Sequence, residues 1–170
     1  MTGVGNTAAG WYSLFTNTSG SYKTGVGAGT LLFNIGDSKG AGSQNTAIGT
    51  AALLFNTAGS GNAAVGVTAL LNNTEGGNNT AIGEQALYTN TIGFSNTAIG
   101  AFALFGNSAD TDRNTATGAE ALFSNTRGRE NTANARSRYM TTPPARITRR
   151  SESQRNQCIQ RARPFTHLSR

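Results

Sequence analysis

The sequence has very few of the residues on which catalytic, metal and disulfide sites usually depend. Its 170 residues include one cysteine, Cys158, and one histidine, His167, and only 13% of them carry a charge. A lone cysteine forms no intrachain disulfide, and neither residue has neighbours that resemble a metal site or a nucleophilic dyad. The carboxylates recur at no spacing that suggests paired acid and base work. We therefore predict a protein that is not an enzyme, with no catalytic residues, no metal site and no cofactor.

Long apolar runs are also missing. No stretch approaches the ~18 apolar residues that a membrane-spanning helix needs. The first residues, Met1 to Gly5, have neither the basic region nor the apolar region of a signal peptide. We expect no membrane span and no signal peptide in this chain. This favours either a protein that stays inside the cell until release or, as we prefer, a fragment of a longer exported protein.

What the sequence has instead is a repeat of the pattern N-T-A-[IV]-G-x-x-A-L-x-x-N-T-x-G-x-x, which is clearest from Asn79 to Ser95. Successive units start 17 residues apart, except for one spacing of 22 and one of 18. The units open at Asn6, Lys23, Asn45, Asn62, Asn79, Asn96 and Asn114, with a partial eighth at Asn131. A fixed short period predicts stacked repeats, in which each unit is one rung that is stable only against its neighbours.

The strictly repeated positions predict the role of each part of a rung. Position 5 is glycine, position 9 leucine and position 12 asparagine in all seven complete units, and position 10 is always apolar. Positions 9 and 10 should form core columns. The asparagine at 12 and the frequent glycine at 15 should mark corners, because both residues tolerate positive φ.

Positions 2 to 4, such as Thr80-Ala81-Ile82, predict a strand of three or four residues. The following A-L-x-x-N run could be a second short strand or one helical turn, and we favour an extended or single-turn segment because the run is too short for a stable helix. The predicted fold class is all-β, a parallel β-solenoid (β-roll) of about seven 17-residue rungs over residues 1–133. Such a stack would be roughly 35 Å long.

The N-T-A-I-G steps at Asn45 to Gly49, Asn79 to Gly83 and Asn96 to Gly100 resemble the head repeat of trimeric autotransporter adhesins (YadA-like heads). Similar repeats occur in bacteriophage tail fibres. The resemblance covers Asn6 to about Ala133, although the rung here is longer by the A-L-x-x-N segment. It implies a left-handed parallel β-roll that associates as a homotrimer. Each rung buries little on its own, so subunit association would supply the missing burial.

The resemblance also implies a function and a place. We expect a non-enzymatic adhesin-head-like rod on the bacterial cell surface or outer membrane, or on a phage virion, attached by multivalent contacts to a host surface protein or glycan. The alternative is a structural shaft segment of a phage tail fibre. The ligand-binding residues are unknown from the sequence. Two polar insertions, Gly36 to Gly40 and Asp110 to Arg113, are the first candidates for specific contacts, with a neutral insertion favoured for both.

The asparagine columns at positions 1 and 12 allow two interpretations. Stacked amides could bind a sugar, but they more often hydrogen-bond to one another and to the backbone at solenoid corners. We favour the structural interpretation.

The C-terminal segment, residues 134–170, differs in composition from the repeats. Residues 131–170 contain nine arginines and one glutamate, a net charge of +8, whereas residues 1–130 have a net charge of −2. Clustered arginines can bind nucleic acid, but the repeat stops abruptly at Ala135 and the segment contains Pro143-Pro144 and few large apolar residues. We predict a disordered tail and no nucleic-acid partner.

The genetic code offers an origin for this tail. Codons for Ser137 to Arg155 can be read one base earlier, joining the third base of each codon to the first two of the next. With permitted synonymous choices this frame spells A-L-Y-D-N-T-T-G-K-N-N-T-A-V-G-V-P-A, the repeat itself, with N-T-A-V-G placed 17 residues after Asn131. Our hypothesis is that a frameshift, in the gene or in its sequencing, converted the end of a longer repeat array into the tail.

Overall fold

Each repeat contributes one strand of three residues to a single sheet. The computed structural model of the protein describes residues 3–36, 39–108 and 111–134. Its strands are β1 (Thr7–Ala9), β2 (Thr24–Val26), β3 (Thr46–Ile48), β4 (Ala63–Val65), β5 (Thr80–Ile82), β6 (Thr97–Ile99), β7 (Thr115–Thr117) and β8 (Thr132–Asn134). The described residues contain no helix. The predicted all-β parallel solenoid is confirmed, with seven complete rungs and the start of an eighth.

The strands lie side by side in chain order, and every neighbouring pair is parallel. Equivalent positions of successive units face each other, as Thr80 faces Thr97. The 22-residue unit keeps the same register, because Thr24 still faces Thr46. The insertion in this unit therefore leaves the strand register intact.

The A-L-x-x-N run forms tight turns, not a second strand. In the fifth rung, Ala86 N–H donates to Gly83 O and Asn90 N–H donates to Leu87 O, so two turns follow each other. Gln85 and Leu87 have φ of 54° and 53°. The turns are also hydrogen-bonded between rungs, since Leu87 N–H donates to Ala103 O at 3.0 Å. Stacking on both sides holds leucine in the left-handed region, which is uncommon for a bulky side chain.

The core consists of three columns of small and branched side chains. Position 3 of the repeat, which is the middle residue of each strand, points inwards and is alanine in most rungs. It belongs to the same core cluster as the alanine at position 8 and the leucine at position 9. The predicted leucine column is confirmed, with Leu53, Leu70 and Leu87 fully buried. The prediction for position 10 was wrong for most rungs, because Leu71 is buried but the other side chains are half-buried and Phe15 is 62% exposed. Most position 10 side chains therefore lie beside the core.

The glycine at position 5 is required by two separate constraints. Gly83 has a φ of 133°, and a Cβ there would lie 2.5 Å from Gly100 O of the next rung. The position 12 asparagines close a turn as predicted, as from Asn90 Nδ2 to Gly93 O at 3.1 Å, but the positive φ expected at positions 12 and 15 is absent from these asparagines and from Gly59 and Gly76. A Cβ on Gly59 would instead lie 2.3 Å from Gly76 O. Close approach between rungs selects glycine at position 15.

The described part of the chain ends within the eighth rung. Asn134, which the sequence interpretation placed in the tail, is the last residue of β8. The predicted disorder of the tail, together with Cys158 and His167, lies outside the described residues.

Candidate interaction surfaces

The asparagines at position 1 form a buried polar ladder along the rod. The side-chain Oδ1 of each accepts the backbone N–H of the position 1 residue one rung further on, as from Asn79 to Asn62 at 3.0 Å and from Asn96 to Asn79 at 2.9 Å. In most units the Nδ2 donates to the carbonyl at position 15 of the same unit, as from Asn79 to Gly93 O at 2.7 Å. Both polar atoms of the Asn79 side chain are thus hydrogen-bonded within the protein, and the side chain is fully buried.

A second ladder runs through position 12. Asn90 Nδ2 donates to Asn73 Oδ1 at 2.9 Å, and Asn107 Nδ2 donates to Asn90 Oδ1 at 2.9 Å. These side chains are fully buried. The favoured structural interpretation of the asparagine columns fits this geometry, because the amides bond to one another and to corner carbonyls. No sugar could reach them without opening the stack.

Lys23 replaces asparagine in the position 1 ladder and is fully buried. Its backbone N–H still donates to Asn6 Oδ1 at 3.0 Å, while its Nζ reaches across to Asn17 Oδ1 and to Asn34 O. Burial lowers the pKa of Lys23 from 10.5 to about 8. The buried Asn34 Oδ1 has no hydrogen-bond partner. The second rung is therefore irregular in both ladders, and it is the rung that carries the longer insertion.

The outward side of the sheet carries an aliphatic row, here called the outer stripe. It occupies position 4 of rungs 2 to 6, where Ile48, Ile82 and Ile99 are each about 40% exposed. Its members are Val26, Ile48, Val65, Ile82 and Ile99. The other outward strand position holds only threonine or alanine in these rungs, so this part of the face carries no charge. The stripe spans roughly 19 Å, from four rung spacings.

Sequence interpretation did not predict the outer stripe. A signal was present in the pattern. Position 3 is always alanine or glycine, whereas position 4 is usually β-branched. Alternation along a strand puts these two positions on opposite faces, and only small side chains fit against the closely stacked leucines.

Aromatic side chains form partly exposed stacks along the rod. Tyr88, Phe105 and Phe123 lie one above another, with ring centroids 5.1 Å and 5.0 Å apart. Phe33 and Phe55 form a second stack at 5.5 Å. These contacts join successive rungs, and their exposed edges extend the apolar surface beyond the sheet.

The first rung has a more exposed aromatic group. Trp11 is 74% exposed, and its ring lies edge-on to Tyr12 at 4.2 Å, which in turn contacts Phe15 at 4.7 Å. Strand β1 pairs only with β2. This group therefore lies at one end of the rod.

Ionic and metal-binding groups are sparse across residues 3–36, 39–108 and 111–134. Arg113 and Glu130 form an exposed ion pair at 3.4 Å, which contributes little to stability. In these ranges no three histidine, cysteine, aspartate or glutamate side chains are grouped so that they could hold a metal ion. The same ranges contain no helix of the length and apolarity needed to cross a membrane.

The two insertions are only partly within the described residues, since 37–38 and 109–110 lie outside them. In the sixth unit, the extra residue leaves the ladder intact because Thr111 O replaces the position 15 glycine as acceptor for Asn96 Nδ2 at 2.8 Å. Asp112 Oδ1 also accepts the Phe94 N–H at 2.9 Å. The shorter insertion is thus tied back to the rod.

Comparisons of the chain with protein-family models, with curated proteins and with solved structures find no match.

Proposed function

We propose that this chain is a non-enzymatic rod segment of a bacterial or phage surface structure, working as a homotrimer that mediates attachment to a host surface protein or glycan. The observation that carries the proposal is the outer stripe. A monomer would leave a continuous, uncharged aliphatic row in water, and such patches mark surfaces that another molecule covers. A narrow core of alanine and leucine makes additional burial between copies valuable.

The proposed attachment mechanism is multivalent. Equivalent positions of successive rungs lie side by side, so a contact made through a repeated residue recurs along the rod and again on each copy. Weak contacts of this kind add up to high avidity without a deep pocket. The polar turns and the insertions then face outwards, while the outer stripe is covered.

The alternative function is a structural shaft of a phage tail fibre, whose tip lies in another polypeptide or segment. The regular register favours it, because equivalent positions pair in all seven strand contacts and much of the surface is correspondingly uniform. A uniform surface suits a spacer as well as it suits an adhesin. Neighbouring genes separate the two: capsid and baseplate genes indicate a fibre, and an outer-membrane anchor in the same reading frame indicates an adhesin.

Binding of the purified rod to an array of matrix proteins and glycans tests the attachment function. We expect retention on at least one surface, and that retention should weaken when the rod is dissociated into single copies. A rod that associates normally but binds nothing across the array would favour the shaft.

A further inference from the structure

The eighth rung contains a buried amide that lacks its acceptor. Asn131 is 2% exposed, and its backbone N–H donates to Asn114 Oδ1 at 3.0 Å, so the position 1 ladder reaches this rung intact. Its Nδ2, however, has no hydrogen-bond partner. The equivalent Nδ2 of Asn114 donates to Gly128 O, fourteen residues ahead, at 2.9 Å. Asn131 therefore lacks the position 15 carbonyl of its own rung.

The seventh rung shows the same deficit in its turn. In earlier rungs the position 9 N–H donates to the position 8 carbonyl one rung further on, as from Leu104 to Ala121 at 2.9 Å. Leu122 is 3% exposed, and among the described residues no carbonyl accepts its N–H. Buried donors without acceptors are costly and rare in folded proteins.

The core is open at the same place. Ala133 packs against the core cluster but is only partly buried, whereas its counterparts Ala81, Ala98 and Ala116 are fully buried. We call the surface formed by Leu122, Asn131 and Ala133 the open end. Its two donors and its apolar alanine match what the second half of a regular rung would supply: a position 8 carbonyl, a position 9 leucine and a position 15 carbonyl.

We propose that the open end is the acceptor site for one further turn of repeat sequence, and that its occupant is the segment A-L-Y-D-N-T-T-G-K-N-N-T-A-V-G-V-P-A compatible with the codons of Ser137 to Arg155 in the frame one base earlier. In that frame alanine falls at position 8 and leucine at position 9 of the eighth unit. Glycine falls fourteen residues after Asn131. This is the place of the carbonyl that Asn131 Nδ2 lacks.

The codons of the tail and the unpaired donors of the rod point to the same segment independently. Synonymous codon choices concern only the tail, whereas Leu122 and Asn131 precede it. Neither depends on trimer formation or on attachment, so failure of the proposed function would leave this inference standing.

The test compares two full-length chains. The frame-restored chain carries the eighteen-residue segment in place of residues 138–155, together with Ala135→Gly because position 5 is glycine in every complete unit. Its control carries the same eighteen residues in scrambled order with the same Ala135→Gly change. Hydrogen exchange of the Leu122 amide is followed by NMR. The Leu104 amide, which already has its acceptor, reports that each chain is folded.

We expect the Leu122 amide to exchange at least about tenfold more slowly in the frame-restored chain than in the scrambled control, with Leu104 unchanged, since opening must then disrupt a further rung. Adding Asn131→Ala to the frame-restored chain should remove part of that protection. Equal exchange of Leu122 in the two chains would overturn the proposal. So would slow exchange of Leu122 in the original chain together with end-to-end multimers, because a second copy would then occupy the open end.

The gene provides a second, separate test. Asparagine at position 12 of the restored unit requires the codon ACA at Thr141, and glycine at position 15 requires CCG at Pro144. Finding both codons supports the assigned occupant. Any other codon at either residue refutes it.

Discussion

Asn73 Nδ2 lies 2.7 Å from Asn56 Oδ1 and 2.8 Å from Gly76 O. One buried amide thus joins two rungs and closes a corner of its own rung. The same two bonds recur at Asn90 and Asn125.

Asn73→Ala should destabilise the rod by about 1–3 kcal/mol, because it leaves the buried Asn56 Oδ1 without its donor and removes the oxygen that accepts from Asn90 Nδ2. The measurement is the shift of the urea unfolding midpoint. Glu75→Ala, in the same turn but exposed, should change stability by no more than about 0.5 kcal/mol. Equal effects of the two substitutions would contradict a structural role for the position 12 ladder.

Gly83→Ala should cost at least about 2 kcal/mol, since alanine is strained at a φ of 133° and its Cβ would lie 2.5 Å from Gly100 O. Gly29→Ala is the matched control. Gly29 has a φ of 67° and its nearest neighbour is Leu54 Cδ1 at 3.5 Å, and Ala51 already occupies the equivalent position with a φ of 55°. We expect a change within about 1 kcal/mol there. Thermal unfolding of both variants decides whether the position 5 glycine is specifically required.

The free energy of unfolding should rise with pH between about 8 and 10.5, because the buried Lys23 loses its proton in the folded protein before it does so in the unfolded chain. Burial lowers its pKa in the folded protein to about 8, so in this window the unfolded chain binds more protons than the folded one, and linkage makes unfolding less favourable as pH rises. Below pH 8 both states are protonated and the full penalty for the buried charge applies. The gain from pH 8 to 10.5 should be on the order of 2–3 kcal/mol.

The control for this prediction is Lys23→Asn, which restores the ladder residue of the other units. The difference in unfolding free energy between this variant and the original chain should be largest below pH 8 and should shrink towards pH 10.5. Parallel pH profiles for the two chains would show that Lys23 does not titrate in the folded protein as expected.

Ile82→Glu should dissociate the proposed homotrimer, because it places a charge in the middle of the outer stripe, where desolvation makes it costly. Ile92→Glu is the control, since Ile92 is similarly exposed, 39% against 42%, but lies outside the stripe. Sedimentation equilibrium should give three copies for the original chain and for the control, and one copy for Ile82→Glu. A folded monomer from the original chain would refute the role given to the stripe.

The period of the repeat was enough to predict the rung, the strand at Thr80 to Ile82 and the leucine column. It was not enough to orient the strand, because a strand of three residues contains too little alternation to say which face is inside; the size difference between positions 3 and 4 carries that information. The conformation of the turns could not be predicted from the sequence either. Nothing in the local preferences of Leu87 favours a φ of 53°, which is maintained by hydrogen bonds to the next rung.

The interaction surfaces were predicted less well than the fold. Apolar content at position 10 suggested core, but Phe15 and Tyr88 lie at the margin, where sequence cannot distinguish a buried ring from a half-covered one. The irregular ladder at Lys23 was visible as a deviation from the pattern. Its burial could be recognised only once the neighbouring asparagines were placed around it.

Equivalent positions of neighbouring rungs face one another along the whole sheet. Duplication or deletion of a whole unit in the gene would therefore preserve the contacts between the repeated glycine, leucine and asparagine positions inside the stack. Recombination between near-identical repeats would change only how far the molecule extends from its base. Its length is in this sense a freely adjustable quantity, which selection can tune without redesigning the fold.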